Sequence, residues 1–230
     1  MGTDFASVGR LLSSPARAAM LDALLDGRTA TSSELAAAAA VKPSTASGHL
    51  AALVEGRMVV VATRGRTREY SIADRDIALA LEALSRICPD PPVRSLRSAR
   101  DMDALRAART CYDHLAGRLG VDVLGALLQR EWLVARGDEY VLSAAGDQSL
   151  VDIGVDVPKA RMQRRHFARV CLDWTERRPH LAGALGAALC QSVLHAGWVR
   201  RRRSGRGLLI TPLGVDQLQQ AFGISTTAAS

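Results

Sequence analysis

Aromatic side chains make up only 4% of this 230-residue chain, too few for the base-stacking platforms that single-strand and RNA binders use. Lysine is nearly absent: Lys42 and Lys159 are the only two among 30 basic residues. No apolar run approaches the ~20 residues that span a bilayer, and the N-terminus lacks the basic-then-apolar order of a secretion signal. A cytoplasmic location and no membrane partner are therefore expected. The four cysteines, Cys88, Cys111, Cys171 and Cys190, are widely spaced and form no CxxC pair, so free thiols are expected in a reducing compartment. GxGxxG, GKS, HExxH and GxSxG patterns are also missing, which removes the common signatures of phosphate loops, zinc proteases and nucleophile elbows. No enzyme is expected and no catalytic residue is assigned.

What the chain does have is arginine. A net charge of +7 and a pI near 9.9 favour a polyanionic partner, and arginine suits bidentate contacts to phosphate and guanine, although a coding bias toward Ala and Arg gives the same excess. The length allows one large domain or two small ones. The break falls in residues 87–97, where three prolines in four residues stop a preceding helix. The expected organisation is residues 1–86, a linker at 87–97, and residues 98–230.

Residues 31–72 are the most informative stretch. Ser32 or Ser33 can cap a helix that starts near Glu34 and runs to Ala40. Val41 and Lys42 make a turn, and Pro43 suits the first position of the next helix, where its missing N–H costs nothing. That helix opens with small polar residues, Ser44, Thr45, Ser47, Gly48 and His49, and carries Leu50, Leu53 and Val54 on another edge. It can bury the apolar edge and push the polar one into a groove. A β-branched run then leads to Arg64-Gly65-Arg66, and residues 67–72 alternate as a returning strand. Arg64, Arg66 and Arg68 sit where they can reach phosphates or a minor groove. A basic hairpin alone reads as a solvated loop; after a helix-turn-helix at this spacing it reads as a wing on double-stranded DNA.

The succession SPARAAMLDALLDGR, SSELAAAAAVKPSTASGHLAALVEGRMV and RGRTREYSI resembles the ArsR-type winged helix-turn-helix repressors over about residues 10–86. The resemblance implies a homodimer that occupies an operator and leaves it when an effector binds. It implies that the helix from Pro43 is the recognition helix, that Ser44, Thr45, Ser47 and His49 face bases or nearby phosphates, and that Lys42 and the wing arginines grip the backbone. Metal-sensing members carry a cysteine pair in the first motif helix, where this chain has Glu34-Leu35-Ala36-Ala37-Ala38. Others use Asp and His on the helix after the wing, where residues 74–86 contain no histidine. Neither metal site carries over, and no metal site is assigned.

The second half holds a weak repeat. LGALLQREWLV and CQSVLHAGWVR are each followed by a short strand, a loop and a second strand, the order that LAALVEGRMV opens in the first half. The expected fold class is mainly α with small β-hairpins: an N-terminal winged helix-turn-helix, then two degenerate winged-helix-like units. The middle wing loop has lost its positive bias. The last, around Arg200, Arg201, Arg202 and Arg203, suits either a phosphate clamp or a solvated hairpin. A helix is expected over residues 103–118, with Cys111 and His114 three apart on one face, and another over residues 180–194.

CYDHLAGRLGV and CLDWTERRPHLAGALGAAL resemble a longer-chain subgroup of the ArsR-type regulators. Cys111, Tyr112, His114, Cys171 and Trp174 are the candidate effector residues; His166, His180, Cys190, His195 and Trp198 are further ones of unknown position. They suit a thiol or metal sensor using Cys111 and Cys171, or an organic ligand in an aromatic-walled cleft; they also suit plain buried packing. No cofactor is assigned, and the effector, whether small molecule, oxidant or metal, stays open. The expected function is a homodimeric repressor, its dimer surface supplied by residues 5–12, residues 74–86 or both. The rivals are an architectural DNA-binding protein with no effector and a protein-interaction module.

Overall fold

The computed structural model describes residues 2–89, 95–202 and 205–228. Residues 90–94 of the expected linker and Arg203 of the basic cluster lie outside them. The chain divides into two compact units, one over residues 1–85 and one over residues 86–202 and 206–230.

The first unit runs α1 (Phe5–Leu12), α2 (Pro15–Leu24), β1 (Ala30–Thr31), α3 (Ser32–Ala38), α4 (Pro43–Glu55), β2 (Val59–Arg64), β3 (Thr67–Ile72) and α5 (Arg75–Ser85). Its antiparallel sheet has the order β1-β3-β2, and β2 and β3 pair in unbroken register from Val59↔Ile72 to Arg64↔Thr67. That closes the hairpin on the two residues Gly65 and Arg66, with Gly65 at φ 60, a left-handed conformation that glycine adopts without strain. Met20, Leu21, Leu24, Leu35, Ala46, Leu50 and Leu53 are buried beneath it. Two boundaries differ from expectation. The cap of α3 is Thr31: its hydroxyl accepts from the Glu34 amide while the Glu34 carboxylate accepts from the Thr31 amide, a reciprocal pair that neither Ser32 nor Ser33 makes. The helix also ends at Ala38 rather than Ala40, because Ala40 turns left-handed at φ 52 and starts the tight turn to α4.

The second unit runs α6 (Leu96–Ala107), β4 (Arg109–Cys111), β5 (His114–Ala116), α7 (Gly117–Gln129), β6 (Leu133–Arg136), β7 (Glu139–Leu142), α8 (Ala144–Asp152), α9 (Val157–Arg161), β8 (Arg169–Leu172), β9 (Pro179–Ala182), α10 (Gly183–His195), β10 (Val199–Arg201), β11 (Leu208–Ile210) and α11 (Pro212–Phe222). The two halves of this unit each follow the order hairpin, helix, hairpin, helix. They share one apolar core that includes Leu119, Leu124, Leu127, Leu150, Leu185, Leu189, Trp198 and Phe222.

The helix-to-wing corner is built alike three times. Arg57, Glu131 and Gly197 turn left-handed after α4, α7 and α10. The next amide, of Met58, Trp132 or Trp198, then reaches back to the carbonyl of Leu53, Leu127 or Val193, the six-to-one bond of a Schellman end. A helix followed by a β-hairpin is thus common to all three copies. The entry to the helix is not: α4 is preceded by a helix and a turn, whereas α7 and α10 are each preceded by a hairpin.

The halves of the second unit interlock. The first half's wing strand β7 pairs with the second half's entry strand β8 at Glu139↔Arg169, giving a four-stranded sheet β6-β7-β8-β9. Reciprocally, Arg109 of β4 bridges Gly207 beside β11, and the Thr110 and Leu208 amides donate to the Arg206 and Ala108 carbonyls.

The expected helix over residues 103–118 is not formed. α6 stops at Ala107, and residues 109–116 make a hairpin whose two-residue turn is Tyr112-Asp113. Tyr112 takes φ 56, outside the helical region, and the strand pairing to residues 206–208 satisfies backbone groups that a helix would otherwise satisfy locally. The second expected helix starts at Gly183 rather than residue 180, because His180 lies in β9.

Candidate DNA interface and a buried cysteine-histidine cluster

Helix α4 separates its faces as the sequence suggests. Ala46, Leu50 and Leu53 are buried, whereas Lys42, Pro43, Ser44, Thr45, Ser47 and Gly48 are exposed and His49 is half-buried. Small hydroxyl side chains leave the helix slender enough to enter a major groove, and each hydroxyl can donate and accept. At the wing, Arg64, Arg66 and Arg68 are exposed. Arg64 lies 3.5 Å from Glu69 with its side chain 76% exposed, a surface pair weak enough to yield to a phosphate. The structure thus gathers all nine sequence-assigned DNA residues into the helix and hairpin of one small unit.

The effector candidates separate. Cys111 and His114 face one another across the β4–β5 hairpin as the pair Cys111↔His114, and Cys171 and His180 do the same across β8–β9. The two hairpins bring all four together. Cys111 Sγ and Cys171 Sγ are 3.9 Å apart, His114 Nε2 and His180 Nε2 are 3.1 Å apart, and the four donor atoms lie within 4.8 Å of one another. Both histidines and Cys111 are buried. Two glycines make the approach possible: a Cβ on Gly120 would stand 2.5 Å from the Leu115 carbonyl oxygen and 3.5 Å from His180 Cβ, and one on Gly186 would stand 2.5 Å from the Leu181 oxygen and 3.4 Å from His114 Cβ.

Each imidazole has a carboxylate behind it. His114 Nδ1 is 3.1 Å from Asp113 Oδ1, and Arg165 holds the other oxygen of Asp113. His180 Nδ1 is 3.6 Å from Asp173 Oδ2. Asp173 is itself tied down by Arg109 at 2.9 Å, by the Gly117 amide at 2.7 Å and by Thr175 and the Glu176 amide. Burial works against charging His114, but Asp113 and the Cys171 sulfur outweigh it and raise its pKa above that of a free imidazole. The Cys111 contact, with both histidines, pulls the Cys171 thiol well below its usual range. Asp173 is held below the ordinary carboxylate range because Arg109 and its hydrogen bonds overcome burial.

Tyr112 sits in the turn rather than in the cluster, and Trp174 stacks over the Arg109 guanidinium at 4.7 Å. Trp198 packs edge-on against Phe222 in the core, and His166 pairs with Glu139 at the surface. A cavity of about 390 Å³ lies among Ala104, Leu119, Leu208 and Ile224, and one of about 470 Å³ among Asp113, Lys159, Arg165 and His195. Neither is lined by Cys111, Tyr112, His114, Cys171 or Trp174. In the last wing, Arg202 is paired with Asp101 at 2.8 Å and Arg206 is buried.

Residues 12–62 match the family described as a helix-turn-helix domain. A relative from Bacillus subtilis (strain 168), the uncharacterized HTH-type transcriptional regulator YdfF, is 40% identical over 214 residues, covering 93% of this chain and 95% of that protein. The chain belongs to the HTH-type transcriptional regulators. It is therefore a DNA-binding regulator and not an enzyme, and its likeness to YdfF runs through the C-terminal unit as well. Solved structures similar to part of the regulator include the cadmium metal-sensor CMTR from Mycobacterium tuberculosis, 35% identical over 40% of this chain and 100% of that one, with a TM-score of 0.32. A homodimeric winged helix-turn-helix fragment of Mb0332 from Mycobacterium bovis, described as a possible ArsR-family regulator, is 29% identical over 38% of this chain and 86% of that one, with a TM-score of 0.33. No helix among the described residues of the regulator is long and apolar enough to cross a membrane.

His180 is the cluster member whose place sequence reasoning missed. The signal was present: His114-Leu115-Ala116-Gly117-Arg118-Leu119-Gly120 recurs as His180-Leu181-Ala182-Gly183-Ala184-Leu185-Gly186, each copy preceded by a cysteine. A repeat that preserves Cys, His and both glycines marks two equivalent hairpins, and therefore two equivalent histidines.

Proposed function

We propose that the regulator is a homodimeric repressor that reads double-stranded operator DNA with α4, clamps the backbone with the β2–β3 wing, and is released by an effector acting on its second unit. The observation that carries the reading is the exposed row Ser44, Thr45 and Ser47 opposite the buried Ala46, Leu50 and Leu53. Small outward hydroxyls let such a helix enter a groove and donate to or accept from base edges there.

The dimer is supported by α1 and α5. Helix α1 has no buried residue, with Phe5 79% exposed and Val8 42% exposed, and Leu84 in the last turn of α5 is exposed as well. Apolar groups displayed in this way mark a contact surface, and two-fold pairing is the commonest way to cover one. A dimer presents two copies of α4 to half-sites about 34–36 Å apart. Repression rather than activation follows from occupancy alone blocking a promoter.

The test is sedimentation of the full chain, free and with a duplex from its own upstream region. Two chains per duplex and a free dimer at micromolar concentration are expected. A monomer that binds one chain per duplex overturns the dimer reading.

A further inference from the structure

We infer that Cys111, His114, Cys171 and His180 form a buried tetrahedral site for a single zinc-class divalent cation, which ties the two interlocked halves of the second unit together. The site lies outside the DNA-binding unit.

Geometry carries the inference. With Zn–S near 2.3 Å and Zn–N near 2.0–2.1 Å, a tetrahedral centre sets its two sulfurs about 3.8 Å apart and its two imidazole nitrogens about 3.3 Å apart. The observed separations are 3.9 Å for Cys111 Sγ to Cys171 Sγ and 3.1 Å for His114 Nε2 to His180 Nε2. All four atoms fall within 4.8 Å of one another; a tetrahedral centre sets its sulfur–nitrogen edges at about 3.6 Å, so rotation of the side chains on fixed strands brings all four onto one ion. The ligand chemistry is as selective as the spacing. Two sulfurs and two imidazole nitrogens with no oxygen ligand suit zinc and its soft neighbours and reject magnesium and calcium. As thiolates the cysteines supply two negative charges, which balance a divalent cation and avoid an uncompensated charge in the interior.

The surroundings agree. Ligating histidines turn their second nitrogen to a carboxylate that orients the ring. His114 has Asp113 in that place at 3.1 Å. His180 Nδ1, buried and without a hydrogen-bond partner, has Asp173 at 3.6 Å. The donors come in matched pairs from matched hairpins, and each half supplies one sulfur and one nitrogen. The ion therefore joins residues 60 or more positions apart in the chain, a cross-link that lowers the entropy of the unfolded state most when the closed loop is long. Four protein ligands leave no open position, the arrangement of a binding or structural site rather than a catalytic one. Whether the ion also acts as the repressor's effector rests on the function proposed above. Its binding does not, so failure of either is seen separately.

The experiment uses the full chain, reduced and stripped with a chelator, then titrated with Zn²⁺ against a chromophoric competitor and, separately, with Co²⁺. One equivalent per chain is expected, with the intense visible bands of four-coordinate cobalt and a near-ultraviolet thiolate charge-transfer band. Cys111→Ser and Cys171→Ser should each weaken binding by at least about 100-fold, and Cys88→Ser should bind as the parent does. A second reading on the unaltered chain guards against variants that fail to fold: zinc should slow alkylation of Cys111 and Cys171 and leave the exposed Cys88 unaffected. Less than one equivalent bound, the pale spectrum of six-coordinate cobalt, or equal alkylation rates with and without zinc would overturn the site. So would a reduced chain that takes up no metal and merely closes a Cys111–Cys171 disulfide on oxidation.

Discussion

Replacing Asp173 by Ala should destabilise the second unit more than any surface change, and the structure sets the size of the effect. Asp173 and Arg109 are both 0% exposed, and Arg109 Nη2 sits 2.9 Å from Asp173 Oδ2. The Arg109 guanidinium also donates to the Leu105 carbonyl and to Thr175, so turning out to solvent would cost those two bonds as well. Removing the carboxylate strands a buried cation, which costs about 3–5 kcal/mol. At roughly 2–4 °C per kcal/mol for a unit of this size, the melting temperature should fall by roughly 6–20 °C. The pH dependence adds a check of sign. The folded pKa of Asp173 is held below its unfolded value of 3.8. Its contribution is therefore present above about pH 4 and lost as pH falls, and the variant should lack that part of the acid sensitivity. Calorimetry with circular dichroism measures both, and a joint Arg109→Met and Asp173→Leu change should recover the part due to the stranded charge but not the part due to the Gly117, Thr175 and Glu176 donors that lose their acceptor. A shift under 2 °C in Asp173→Ala, or a joint variant no better than the single, would refute the argument that an uncompensated buried charge controls this unit.

Arg64→Ala with Arg66→Ala should weaken binding to every duplex and reduce the slope of log affinity against log salt by about 2, read from gel shifts at stepped ionic strength; an unchanged slope removes the wing from the interface. Phe5→Glu should lower dimer affinity at least about tenfold in sedimentation, since it places a charge on the apolar face of α1 where Phe5 is 79% exposed; an unchanged dimer moves the contact to α5. Burial pushes the Cys190 thiol up to about 12 from 9.0, so the folded state keeps its proton over that window. The group's support for the fold is complete below pH 9 and falls as pH rises toward 12. Cys190 should therefore resist iodoacetamide at pH 9 while Cys88 reacts, as peptide mass spectrometry will show.

The first unit was legible because its signals are local. Pro43 at a helix start, Gly65 in a two-residue turn and the small polar run 44–49 each act within a few residues, and the structure places them as read. The cap on Thr31 was missed for a smaller reason: three adjacent hydroxyl residues can all cap, and only the reciprocal bond to Glu34 chooses among them. The second unit was harder. DALRAARTCYDHLAGR is rich in good helix formers, yet the hairpin from Arg109 to Ala116 is held by strand partners almost a hundred residues away, which no local window contains. Cys111 and His114 were therefore paired correctly but placed on the wrong element, and His180 was left without a position although its flanking HLAG repeat was visible.

On the proposed function, α4 reads sequence and does not merely hold DNA. The direct measurement is the affinity of the regulator for its own upstream duplex against a scrambled duplex of the same length, at fixed salt, for the parent chain and for Ser44→Ala, Thr45→Ala and Ser47→Ala combined. The parent chain should prefer the upstream duplex by about 10³ or more, and the triple variant should lose most of that preference while its scrambled-duplex affinity holds. Equal affinity of the parent for both duplexes, or an equal loss on both in the variant, would contradict it.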